Sequence, residues 1–215
     1  MFDDLLGKKP SPLVTAAFDD MAEMLRRSVK MFDLACRALL DNEPLDVDLD
    51  SLDDQVDAGE RMVRRAILEH LAFNPKKDLV PSLILASMVQ DAERIGDSAR
   101  ALAELVPLAK GPRSGPFADR LRRAAEETRP LFQRCIEAFR DDDKAVGRAV
   151  MDGHRALRTA LQDLTRDVAN SDLSADMAVV YALAARHTLR VSAHLYNIAS
   201  SVVQPYDRIR HGDES

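Results

Sequence analysis

The chain carries one helical pattern twice. Phe32, Ala38, Leu39 and Asp41 are answered by Phe132, Ala138, Phe139 and Asp141 at an offset of 100 residues. Asp54 is answered by Asp152 at an offset of 98, and Arg94-Ile95 by Arg190-Val191 at an offset of 96. An offset that shrinks along the chain is what two copies of the same helices give when their connecting loops differ in length. Pro and Gly mark the joints. Pro10 and Pro12 precede the first apolar-periodic run and Pro44 follows it. Asn74-Pro75 ends the second, Gly111-Pro112 through Gly115-Pro116 separates the halves, and Pro205 closes the last. Between these marks the periodicity predicts helices over 13–42, 49–73, 79–109, 117–140, 143–169 and 174–204. The expected fold is all-α: two tandem antiparallel three-helix bundles, one over 12–110 and one over 113–206, with 207–215 as a disordered tail.

Composition agrees. Hydrophobic residues make up 46% of the 215, enough for a sizeable core, while aromatics are 5% and Trp is absent. No run approaches the roughly 20 apolar residues that span a bilayer, and Met-Phe-Asp-Asp-Leu-Leu-Gly-Lys-Lys lacks the order of a secretory signal. These features predict a cytoplasmic protein without membrane insertion. A net charge of -6 gives no support for broad nucleic-acid contact. Cys36 and Cys135 have no metal-ligand spacing and read as reduced thiols packed in helices.

The chemistry-bearing candidates are carboxylates. Leu85, Val89, Glu93, Asp97, Ala101 and Leu105 lie four apart, so they form one row on a helix, with two acids in its middle. Acids on an apolar face are costly unless paired or bound to a cation. Carboxylate oxygen suits Mg, Mn, Fe or Zn. Further ligands would have to come from the acidic start of the preceding helix, Asp46, Asp48, Asp50, Asp53, Asp54, Asp57 and Glu60. Asp54 and Asp57 share a face there, and antiparallel packing would turn them toward Asp97 and Glu93. A solvated acidic face, or acids favouring a helix N-terminus, reads the same residues without a metal.

The second half sharpens the comparison. Asp57 corresponds to Arg155, Glu93 to Leu189 and Asp97 to Ala193, so three of four candidate ligands vanish together. His187 and His194 with His154 form a rival metal set, although two histidines seven apart are too far to hold one ion on a straight helix. Arg155 and Arg158 with Arg120, Arg122 and Arg123 suggest a basic patch or anion site. No nucleophile elbow and no Gly-rich phosphate loop is present.

Ala92-Glu93-Arg94-Ile95-Gly96-Asp97 resembles the first part of the metal-site motif LERIGDHATNIAE of the PhoU family of phosphate-transport regulators. Thr188 through Ala199 looks like the same motif with its acids removed, keeping Arg190, His194, Asn197, Ile198 and Ala199. The likeness spans about residues 12–206. It implies a six-helix, non-enzymatic regulator of phosphate transport or signalling, with Fe, Zn or Mn held at Glu93 and Asp97, and less specifically at Asp54 and Asp57. The second site would be dead. It also implies a phosphate-transporter ATPase or a membrane-bound sensor kinase as partner, and a possible homodimer. Two other readings remain open: a metal-free helical adaptor, and a carboxylate-bridged metalloenzyme or metal-storage bundle, for which the usual Glu-x-x-His is missing.

Overall fold

The computed structural model describes residues 11–111 and 113–210. Among the described residues six long helices make up the fold: α1 Pro12–Asp41, α2 Leu49–Phe73, α3 Leu79–Ala103, α4 Pro116–Asp141, α5 Lys144–Ala169 and α6 Ala175–Val203. Short 3₁₀ turns follow α3 at Val106–Leu108 and α6 at Tyr206–Arg208. The third helix therefore stops earlier than the periodicity predicts. Pro107 has no N–H to continue an α-helical ladder and restricts the residue before it, so the apolar run finishes as a 3₁₀ turn.

The helix ends repeat along with the helices. α1 ends at Asn42 and α4 at Asp142, both left-handed, with φ of 58° and 50°. These residue types tolerate that conformation best after glycine. Each outer helix starts on an aspartate cap. Asp48 accepts from the N–H groups of Asp50 and Ser51, and Asp143 from those of Ala145 and Val146. Pro130 lies inside α4 on an exposed position, where the carbonyl it leaves unbonded can face water.

α1, α3, α4 and α6 form the centre, α2 covers α1 and α3, and α5 covers α4 and α6. One continuous apolar core runs through both halves. The repeat-related rings Phe32 and Phe132 meet across it, 6.0 Å between centroids, and Phe18 meets Phe139 edge-on at 4.9 Å. α3 and α6 are rich in small buried residues, including Ala92, Gly96, Ser98 and Ala99 on one and Ala184, Ala185, Ser192 and Ala199 on the other. Helices buried on several sides read as apolar or small nearly all round. Two of their hydroxyls are satisfied within the helix: Ser98 donates to the Arg94 carbonyl and Ser201 to that of Ile198.

Polar ties also join the halves. Arg113 donates to the Leu39 carbonyl, and Arg122 donates to Asp41, to the Leu40 carbonyl and to Asp119. Arg129 pairs with Asp33. The orphan carbonyls at the end of α1 are thus met by guanidinium groups of the second half. Cys36 and Cys135 are both free and buried, and burial pushes the Cys36 thiol up to about 12.

Residues 207–210, the first of the expected tail, fold onto the bundle. Asp207 and Arg208 close the 3₁₀ turn, Ile209 is buried, and Arg210 is bonded into the α3–α6 interface. Residues 211–215, including His211, lie outside the described residues.

Candidate metal centre

Gly96 sets how closely α2 approaches α3. A Cβ at this position would stand 3.3 Å from the Asp53 Oδ1 and 3.4 Å from Val56 Cγ1, so the missing side chain leaves room for the outer helix. That contact fixes the rotation of α2. Val56 is buried against α3, Asp53, Asp57 and Glu60 are partly buried, and Asp54 is exposed. The structure therefore leaves Asp54 on the solvent side, although spacing alone grouped it with Asp57. One residue of difference is about 100° of helix rotation. Asp53 takes the inner position instead, ion-paired with Arg100 at 2.9 Å. Burial raises the Asp53 carboxyl above its ordinary value while Arg100 opposes the shift.

Glu60, Gln90, Glu93, Arg94, Asp97 and Arg190 line an open cleft of about 450 Å³. Glu93 is the electrostatic focus. Its carboxyl is pushed from 4.5 up to about 7, first by burial and then by the neighbouring charges of Asp97, Glu60 and Asp57. Clustered carboxylates with too little positive charge take up protons or a cation. Oxygen donors alone line this acidic side, a set that accepts Mn, Fe or Zn. Among the described residues no three His, Cys, Asp or Glu side chains are already drawn together as a metal-holding group. Asp57 faces Arg61 at 3.8 Å, and Asp97 is 4.0 Å from Arg100. Glu60, outside the motif, is the neighbour spacing did not single out. Its position one turn beyond Val56 on the inner side of α2 was the available signal.

The equivalent place in the second half has the opposite character. Leu189 packs on the core. Ser192 stands where Gly96 does in the first half, and its Oγ lies 3.0 Å from His154 Nδ1. Burial, with Arg158 and Arg155 nearby, pushes His154 down to about 4, so the ring is neutral. His187 is lowered by burial too, and its Nδ1 is buried without a hydrogen-bond partner among the described residues. The three histidines of the rival set do not converge, because His194 is held elsewhere. Three arginines of the suggested basic patch are paired with acids: Arg120 with Asp167, Arg122 with Asp41, and Arg155 with Asp152.

Beside the cleft lies a charged cluster that spacing missed. Asp91 is buried, its side chain 4% exposed. It accepts from Asn197 Nδ2 at 2.9 Å and from Arg210 Nε and Nη2 at 3.1 and 2.6 Å, with His194 Nδ1 at 2.8 Å. Arg210 also donates to the Ser87 carbonyl. The buried row Met88, Asp91, Ile95, Ser98 and Leu102 runs at i, i+3, i+4 steps, so Asp91 could have been read as an acid inside the core stripe. Its partners, over a hundred residues away, carried no such signal. The cluster joins α3, α6 and the chain end, and supports the wall on which Glu93 stands.

Residues 21–106 match the PhoU domain model, a span that includes Glu93 through Asp97 and excludes the second half. A crystal structure of PhoU from Pseudomonas aeruginosa has a TM-score of 0.80 at 21% identity, covering 89% of this chain and 95% of that one. The phosphate transport system regulatory protein PhoU from Streptococcus pneumoniae has a TM-score of 0.80 at 15% identity, covering 94% and 97%. No curated protein matches the chain. At these identities the two structures establish a shared fold.

Proposed function

We propose that this chain, whose residues 21–106 match the PhoU domain model and whose fold is shared with two PhoU structures, is a PhoU-type non-enzymatic, cytoplasmic regulator of phosphate transport or phosphate signalling. It acts as a metal-binding helical adaptor for a membrane-associated transporter or sensor kinase. The observation that carries the metal part of this reading is the charge around Glu93, raised to about 7 by burial and by Asp97, Glu60 and Asp57. Glu93 and Asp97 on α3 would hold the ion, and Glu60 or Asp57 would close the site from α2. A bound Fe, Zn or Mn ion would add positive charge beside Glu93, where Arg61, Arg64 and Arg100 lie against the neighbouring Asp57, Glu60 and Asp97 instead. These residues would then tie the outer helix to the central one and fix the surface that the partner reads. The second half, with Leu189, Ala193 and a neutral His154, supports no matching site.

A metal-free adaptor has one observation in its favour: Arg94 and Arg190 line the same cleft and bring positive charge without an ion. One experiment separates the readings and tests the first. The gene is deleted in its host and phosphate uptake is followed under phosphate excess. The deletion should deregulate uptake, and the wild-type protein should restore control. Glu93→Ala/Asp97→Ala at equal abundance should fail if metal is required and succeed if it is not. Uptake unchanged by the deletion would overturn the regulatory reading itself.

A further inference from the structure

α2 is electrically and chemically two-ended. Its approach and first turns carry seven acids, Asp46 through Glu60, with no Lys or Arg among them. Its other end leads into a turn that is apolar and basic. Residues 72–77 are six exposed residues in succession, containing Phe73, Lys76 and Lys77. Phe73 is 84% exposed and Leu68 71%, and Leu79 and Leu83 continue the apolar surface onto the first turns of α3. Arg65 is exposed on the same end of α2, against a single exposed acid there, Glu69. The repeat-related turn in the second half, Asn170 to Ser174, has no basic residue, carries Asp172, and packs Leu173 on the core. Only the first half presents a tip of this kind.

The tip rests on a buried polar floor. His70 Nε2 lies 3.2 Å from Asp78 Oδ2 and 3.1 Å from the Lys77 carbonyl, and the Ser11 N–H donates to Asp78. Asp78 is left-handed, with φ of 55°. These bonds fix the turn from inside, so that Phe73, Lys76 and Lys77 point outward without the loop having to order on binding.

We infer that this tip docks the protein on an anionic membrane surface, with Phe73 entering the headgroup region and Lys76 and Lys77 at the phosphates. The chemistry favours lipid over a protein groove. Lysine is depleted from the buried parts of protein interfaces, whereas an apolar side chain flanked by lysines is what an anionic bilayer surface attracts. The charge layout also sets an orientation. Asp54 and Phe73 are 19 residues apart on one helix, about 28 Å along its axis. That is well beyond the roughly 8 Å over which exposed charges act at physiological salt. Tip-down, the acids lie outside the reach of the surface charge, whereas any pose that brought them to the bilayer would be repelled, so α2 stands tip-down with the Glu93 cleft held away. This inference rests on surface chemistry alone and stands or falls apart from the metal site and from the regulatory reading.

The chain has no Trp, so Phe73→Trp places a single reporter at the tip. Phosphatidylglycerol–phosphatidylcholine vesicles should shift its emission to the blue, and brominated acyl chains should quench it. Pure phosphatidylcholine vesicles should do neither, and added salt should reverse the shift. Lys76→Glu/Lys77→Glu should weaken vesicle partitioning by about tenfold or more, at about 1 kcal/mol per lysine near such a surface. Its thermal unfolding should be unchanged, because both residues are exposed. Lys144→Glu/Arg148→Glu, on the other outer helix, should partition like the wild type. No blue shift with anionic vesicles, equal binding to neutral ones, or loss of binding in the α5 variant instead of the tip variant would each overturn the inference. Binding to native membranes that is lost on protease treatment, with none to pure lipid, would assign the tip to a protein groove and overturn it as well.

Discussion

Breaking the Asp91–Arg210 pair should cost far more than breaking a surface ion pair. Asp91 is 4% exposed and Arg210 38%. Asp91→Ala removes the acceptor of four donor contacts and strands His194, Asn197 and Arg210. Loss of one partner from a buried charge network costs about 3–5 kcal/mol. Arg210→Ala leaves Asp91 with His194 and Asn197, and should cost about 2 kcal/mol. The double variant should cost less than the sum, leaving a coupling of about 1–3 kcal/mol. Arg26 and Glu23, 3.1 Å apart and about half exposed, supply the internal control; their coupling should be about 0.5 kcal/mol or less. Urea unfolding of the two cycles measures both terms. An Asp91–Arg210 coupling no larger than that of the control would refute the argument, because it would mean that the chain end does not hold the α3–α6 interface.

Three further outcomes follow from the geometry. Gly147→Ala should lower stability by about 1–3 kcal/mol, because the new Cβ meets Val203 Cγ2 at 2.8 Å; unchanged thermal unfolding would contradict that packing. The Glu93 carboxyl titrates near 7 in the folded protein against 4.5 ordinarily, so the folded state binds the extra proton more tightly. Stability of metal-free protein from this group should be present below 4.5 and lost as pH rises toward 7, and Glu93→Gln should remove that part of the slope in melting curves taken with a chelator. His154 has the opposite sign: with its folded value lowered to about 4, its contribution should be lost as pH falls from 6.5 toward 4, and an NMR titration should show the ring neutral at pH 5.5.

Much of the fold could be read from the chain, because helix periodicity, caps and breakers are local signals. Asn42 and Asp142, a hundred residues apart, end repeat-related helices in the same left-handed conformation. Periodicity places the end of α3 too late, because an apolar run continues through Val106 and Leu108 after the hydrogen-bond ladder has changed type. The candidate site was legible only along one helix. Glu93 and Asp97 share a row by spacing, but which acids of α2 face them depends on its rotation, which the Gly96 contact sets. Spacing therefore groups Asp54 with Asp57 and passes over Glu60, whereas in the fold Asp54 is exposed and Glu60 partly buried. The Asp91 cluster needed tertiary structure outright, since Arg210 reaches it across 119 residues.

Metal stoichiometry of the purified protein, by mass spectrometry on wild type and Glu93→Ala/Asp97→Ala after reconstitution with Fe, Zn or Mn, tests the central claim most directly. The account predicts metal bound at one place in the first half, lost in the double variant and unaffected by His154→Ala/His187→Ala. Metal retained by the carboxylate variant, or absent from wild type after reconstitution, would contradict it.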